Sequence, residues 1–418
     1  MRNLSEKQLL FILAAVQFCH ILDFMIIMPL GKTLMEALDI IPRQFAWIVS
    51  IYALMAAIAG LVSTAFIDRF DRRSALLVLY AGFIIGTFAC ALAPTYAFFM
   101  VARGLTGCFG GTLSALVLAI VGDVVPLERR AGAMGWVMTA FSAASVIGIP
   151  SAIYLAGWGG WPTPFFVVGG ISVLVISTIP FLLPPLRGHL EREDIVMPQP
   201  DLALGVVDEP AVPRRVNPSV IETFRRIFTD PNQRAALLFT FVLMLGHFSI
   251  IPFIAPYMQL NVGFSDIQVG YIYLIGGLLS VVLLPLFGKI ADRFGRFRVF
   301  AVSSFFALFS IYALTNLGPV SIVTALVVTS SFFIVAGGRS VPATTLITSV
   351  VPARSRGSFM SIRQSTNELA LAASSFVAGF IITELPDGSL QHYDWVGWFT
   401  IGMSLVAVYV GSRLQEVA

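Results

Sequence analysis

Charge is what this sequence has least of. Only 12% of its 418 residues are Asp, Glu, Lys or Arg, about half the roughly 25% usual in soluble domains. With 57% hydrophobic residues and a mean hydropathy of +0.87, the surface of such a chain must face lipid. A formal net charge of +3 is too small to steer the protein onto nucleic acid. Cysteine is nearly absent as well. Cys19, Cys90 and Cys108 stand singly in apolar runs and read as small buried hydrophobes, not disulfides or metal ligands. No Gly-X-X-X-X-Gly-Lys-Ser/Thr loop occurs, which argues against nucleotide hydrolysis. No loop holds a nucleophile–base or metal-ligand spacing, so neither enzyme, metal site nor cofactor is expected. Long period-two alternation is also missing, which disfavours a membrane β-barrel.

What is present is a series of long apolar runs. A helix crossing a bilayer needs about 20 mostly apolar residues, and by that ruler the chain holds twelve spans. Six fall near 8–31, 44–66, 74–94, 97–122, 131–156 and 163–184. Six more fall near 234–258, 266–290, 298–316, 320–349, 357–384 and 392–412. Arg2 and Lys7 before the first run imitate a secretory signal. That run is too long, holds Asp23 and lacks a small-residue cleavage site, so it reads as a retained helix. The proline-rich stretch 185–233 is the one clear linker, between an N-terminal bundle, 1–184, and a C-terminal bundle, 234–418. Its end, Val220 to Phe228, is amphipathic at helical spacing and reads as an interfacial helix or a solvated linker helix.

Of 26 Lys and Arg, 21 lie in the termini, the linker and alternate loops. Lys32 and Arg43 alone lie in the opposite loops, and Arg103, Arg339 and Arg363 fall inside spans. The positive-inside rule then puts both termini and the linker in the cytoplasm. The chain is also built twice. Asp292-Arg293 between apolar runs echoes Asp68-Arg69, 224 residues earlier. Gly337-Gly338 before Val350-Val351-Pro352 echoes Gly110-Gly111 before Val124-Val125-Pro126. Duplicated six-helix bundles are a transporter plan, with a midplane site exposed alternately to either side.

The residues Gly288-X-X-X-Asp292-Arg293-X-Gly295-Arg296-X-Arg298 resemble the loop signature of the major facilitator superfamily. The first copy keeps Asp68, Arg69, Arg72 and Arg73 and departs at Thr64 and Asp71, where glycine is expected. Arg103-X-X-Thr106-Gly107 resembles the fourth-helix motif without its glutamine. Asp23 to Gly31 resembles the first helix of bacterial drug and sugar efflux members, while Gly148-Ile149-Pro150-Ser151 is a degenerate form of the antiporter motif. The resemblance implies an all-α membrane protein of twelve helices in two pseudo-symmetric bundles. It further implies a monomer in the bacterial inner membrane that exchanges protons for a small amphipathic, drug-like or sugar-like molecule. Uptake, or movement of a lysolipid or anionic metabolite, is the alternative on the same fold. A non-transporting receptor is the alternative of another class.

The resemblance also implies a gate. Asp68, Arg69, Arg72, Arg73, Asp292, Arg293 and Arg296 would latch the bundles on the cytoplasmic side, a carboxylate meeting a helix N-terminus of the other bundle; otherwise they only anchor the loops by charge. Inside spans each ionisable group costs about 2.5–3.5 kcal/mol on insertion scales, which makes each a candidate for function. His20 and Asp23 are three apart, on one helix face, and Arg103 starts the fourth span at similar depth. Asp23 is expected to accept the proton, with Arg103 as modulator and His20 as relay, because a nearby cation favours the carboxylate and its withdrawal favours the acid. The alternative is a static ion pair. Glu368 is a second proton carrier or a partner for a cationic group. Phe24, His247, Tyr257, Arg339, Arg363, Gln364 and Asn367 are expected to line the substrate cavity, with Arg339 and Arg363 attracting an anionic group or neutralising Glu368.

Overall fold

The computed structural model describes residues 6–63, 67–186, 225, 227–351 and 356–416. The first half runs α1 (Glu6–Met25), a short α2 (Gly31–Leu38), α3 (Pro42–Ser63), α4 (Arg72–Ala91), α5 (Tyr96–Val124), α6 (Leu127–Ala143), α7 (Ile149–Gly159) and α8 (Pro162–Leu182). The second half runs α9 (Pro231–Leu260), α10 (Asp266–Phe294), α11 (Arg296–Thr315), α12 (Ile322–Ser349), α13 (Arg356–Ile381) and α14 (Tyr393–Gly411). A two-stranded hairpin, β1 (Thr383–Glu384) with β2 (Leu390–Gln391), joins the last two helices.

Polar residues punctuate the apolar runs. Thr95, Asp230 and Ser321 cap α5, α9 and α12, and Ser265 with Gln268 forms a capping box on α10, each satisfying amides a helix start leaves free. Asp71, one of the two departures from the loop signature, caps α4 by accepting from Ser74, and the Leu186 amide donates to it at 2.6 Å. Its charge is used locally.

Among the described residues eleven helices are long and apolar enough to cross a membrane, α6 and α7 counting as one. The twelfth span is α13. At 26 residues it is long enough, but Arg363, Gln364, Asn367 and Glu368 crowd its first half. Between α6 and α7 the chain makes a π turn, Ala144–Gly148, in which the Ile149 amide reaches back to the Ala144 carbonyl. Pro150 explains it: proline has no N–H for the ordinary bond to residue 146, and one wider turn accommodates the gap.

The halves meet along three seams, α3 with α13, α7 with α10, and α2 with α9. At the face remote from the linker they are sealed. Phe45 meets Phe253 edge-on at 5.7 Å, Trp47 stacks on Phe376 at 6.4 Å, and Arg43 lies 4.4 Å from the Phe380 ring centroid. A Cβ on Gly31 would sit 2.6 Å from Pro256, and one on Gly379 would overlap Ala46. At the linker face every ion pair between described residues stays within one half: Arg72–Asp123 at 2.9 Å, Arg129–Glu6 at 3.0 Å and Arg296–Glu416 at 2.9 Å. The remote face is thus closed across the halves, and at the linker face no ion pair joins the halves among the described residues. Ile227 packs into the second half's core near this face; residues 220–224 and 226 of the expected amphipathic helix lie outside the described residues.

Candidate functional site

The site is built on α1, α3, α4 and α5. Along α5 the glycines at 104, 107 and 111 present a flat face to α3. A Cβ on Gly107 would overlap the Tyr52 carbonyl, and one on Gly111 would lie 2.6 Å from the Ala56 side chain. Such small residues let helix backbones approach in lipid. The close approach brings Arg103 over Tyr52, its guanidinium carbon 4.4 Å from the ring centroid.

Arg103 and Asp23 are fully buried, and their Nη1 and Oδ2 atoms are 2.8 Å apart. Thr87 donates to the other carboxylate oxygen at 3.1 Å. Arg103 Nη1 also lies 3.4 Å from the Asp23 carbonyl, while its Nε and Nη2 are buried without a partner. Thr106, where the family's glutamine is expected, donates instead to the Ala102 carbonyl of its own helix at 2.7 Å. The His20 ring lies 6.4 Å from Tyr52 and 6.1 Å from Phe83, with Nδ1 buried and unpartnered. Phe24 lies 5.2 Å from Tyr52 and packs, with Phe248, against Ala53, Leu371 and Ala372. Two of these residues belong to α13 and one to α9, so this layer joins the halves.

On α13 the residues 364, 368, 372, 376 and 380 repeat at i, i+4 and form one stripe. It begins polar with Gln364 and Glu368, whose Nε2 and Oε1 are 2.8 Å apart, continues through Ala372, and ends in Phe376 and Phe380 at the sealed face. Glu368 therefore lies one turn below the Phe24–Phe248 layer, on the linker side. No basic side chain pairs with it among the described residues.

The expected cavity residues do not all converge. Arg339 is buried and donates to Ser404 at 3.0 Å, and Arg363 donates to Thr344 at 3.2 Å. Each has an unpartnered Nε, and neither meets a carboxylate among the described residues, so neither neutralises Glu368. His247 stacks on Phe332 at 5.8 Å. Tyr257 is held elsewhere, its hydroxyl donating to the Leu317 carbonyl and its ring 4.5 Å from Tyr393. Asn367 is half-buried on α13. Of the loop residues, Arg73 donates to the Pro180 carbonyl at 2.9 Å and Arg293 lies 5.3 Å from the ring of Phe294. Asp68 and Arg69 fall in a single 3₁₀ turn, and Asp292 lies in the last turn of α10. Sequence reasoning missed Tyr52, Thr87 and Phe248. The glycine stripe on α5 announces a close partner but does not say which helix supplies it.

The family model of the major facilitator superfamily matches residues 13–337 and 236–415. The chain belongs to the major facilitator superfamily. This facilitator is 22% identical to the uncharacterized transporter YceJ of Bacillus subtilis, over 96% of this chain and 95% of that one. It is also 22% identical to multidrug resistance protein 2 of the same organism, over 71% of this chain and 70% of that one. Its fold matches a bacterial homologue of the human lysosomal transporter Spinster, solved in an inward-facing and occupied conformation. There the TM-score is 0.75 at 14% identity, covering all of both chains. The facilitator is a secondary transporter of small molecules, not an enzyme, and it crosses the membrane many times.

Proposed function

We propose that this facilitator is a proton-coupled exporter of a small amphipathic molecule, drug-like or sugar-like, working as a monomer in the bacterial inner membrane. The observation that carries the reading is the fully buried Asp23–Arg103 pair at 2.8 Å, beside the layer that joins the halves. A carboxylate so placed has two stable states in a dry interior, ion-paired or protonated, and nothing between. The linker face is cytoplasmic, in keeping with 21 of 26 Lys and Arg on that side, and the conformation described is then one sealed on the outer side. Asp68, Arg69, Arg72, Arg73, Asp292, Arg293 and Arg296 form their latch between the halves when that side closes. Glu368, without a basic partner among the described residues, takes either a second proton or a cationic group of the substrate.

In acid-inside, inside-out vesicles ethidium should accumulate while the lumen turns alkaline. If Asp23→Asn follows the gradient as steeply as the native chain, the coupling role is wrong. One observation favours a second reading: Arg339 and Arg363 lack carboxylate partners among the described residues, which suits an anionic headgroup. A lysophospholipid that is carried by the native chain and lost on Arg339→Gln would support that reading over the first.

A further inference from the structure

Tyr52 stands where the buried ion pair, the α3–α5 seam and the layer between the halves meet. Its backbone has no freedom, because Gly107 lies against its carbonyl and Gly111 against Ala56 one turn on. Only the ring can respond to its surroundings. Arg103 lies over the ring at 4.4 Å, and Phe24 is tilted by 39° against it at 5.2 Å. The hydroxyl is buried and unpartnered. It lies over Gly110, where a Cβ would come within 2.6 Å of Oη and 2.8 Å of the His20 ring.

We propose that Tyr52 is a positioning residue that passes the state of the Asp23–Arg103 pair to Phe24 and so to the contact between the halves. The inference rests on reading that pair as the coupling device. Arg103 has two attractions, the Asp23 carboxylate and the Tyr52 face, while its Nε and Nη2 have no partner. When Asp23 is neutral, the Tyr52 face is the attraction that remains, and a desolvated cation–π contact is strong enough to compete for the guanidinium. The ring then moves with Arg103, and Phe24 loses the surface it rests on. Phe24 packs with Phe248, Leu371 and Ala372 of the second half, so a change beside Asp23 reaches the other bundle through two rings, Tyr52 and Phe24.

The groups around this switch are His20 and Cys19 on α1, Thr87 and Cys90 on α4, Arg103 and Thr106 on α5, and Glu368 on α13. Thr87 and Arg103 both donate to Asp23, and Cys90 lies 3.7 Å from Thr106.

The test uses spin labels at Ile41→Cys and Leu385→Cys, exposed positions of opposite halves at the sealed face, and Asp23→Asn as the neutral form. Electron–electron distance measurements in liposomes should show Asp23→Asn changing the ratio of open to closed molecules about tenfold, a usual size for coupling between sites. The change should persist on Tyr52→Phe, which keeps the ring face, and fall below about twofold on Tyr52→Leu. Tyr52→Met serves if the leucine variant does not fold. A folded Tyr52→Leu or Tyr52→Met chain that still answers Asp23→Asn in full overturns the proposal. A native chain that ignores pH, while Asp23→Asn acts through Tyr52, overturns proton coupling and leaves the role of Tyr52 standing.

Discussion

At the scale of single residues, Asp23 and Arg103 are held by each other. Desolvating both charges offsets most of their attraction, so the pair adds little net stability, but breaking it leaves one charge alone in the dry interior. Arg103→Ala should lower stability by about 3–5 kcal/mol, read as a fall in melting temperature in detergent. Replacing both partners, Asp23→Leu with Arg103→Met, should recover most of that loss while abolishing gradient-driven transport. Stability and transport would then separate, as a coupling device requires and a static packing pair does not. Glu368 has the opposite profile. It pairs with no basic side chain among the described residues, so Glu368→Gln, which removes an unpaired charge from a span, should not lower stability and should change which cations are carried.

At the scale of elements, the seam between α3 and α5 depends on where a methyl group fits. A Cβ on Gly104 meets Ile51 at an ordinary 3.5 Å, whereas one on Gly107 overlaps the Tyr52 carbonyl. Gly104→Ala should be tolerated, and Gly107→Ala should cost about 1–3 kcal/mol by overpacking, since a backbone atom cannot step aside; thermal unfolding of the two variants compares them directly. The hairpin between α13 and α14 responds to pH. The Ser389 amide and hydroxyl donate to Asp387 at 3.0 and 2.6 Å and hold its carboxyl below the usual carboxylate range. A lowered folded value means the turn is fully supported above about pH 4 and loses support as the pH falls through the lowered value. The protection of the Ser389 amide, its exchange relative to the intrinsic rate at the same pH, should therefore fall on acidification. Among the described residues α13 is the one of the twelve expected spans whose apolarity falls short of its neighbours'. Of the residues that lower its apolarity, Gln364 and Glu368 lie on the stripe that runs on to Phe376 at the seam, while Arg363 turns to Thr344 of its own half.

At the scale of the whole molecule, the sealed face contains no ion pair across the seam among the described residues. Its holds are aromatic contacts and Arg43, whose guanidinium carbon lies 4.8 Å from the Trp47 centroid and 4.4 Å from that of Phe380. A clasp of this kind is worth about 0.5–2 kcal/mol, enough to hold one state without freezing it. Joining the halves there, with Trp47→Cys and Phe376→Cys bridged by a thiol cross-linker, should stop turnover while leaving the linker face accessible to labels. A cross-linked chain that still transports would show that this seam does not open.

The sequence by itself determined the class, the twelve spans, the duplication and the residues that are costly in lipid. Each of these follows from local composition or from spacing along one helix. It placed Asp23 and Arg103 at similar depth because depth is counted along the chain. Only the tertiary structure decided that the two touch, that Tyr52 lies beneath Arg103, and that Tyr257 is engaged elsewhere. Lipid-facing and buried apolar residues look alike in sequence, so how each helix is turned about its axis is settled only when its neighbours close around it.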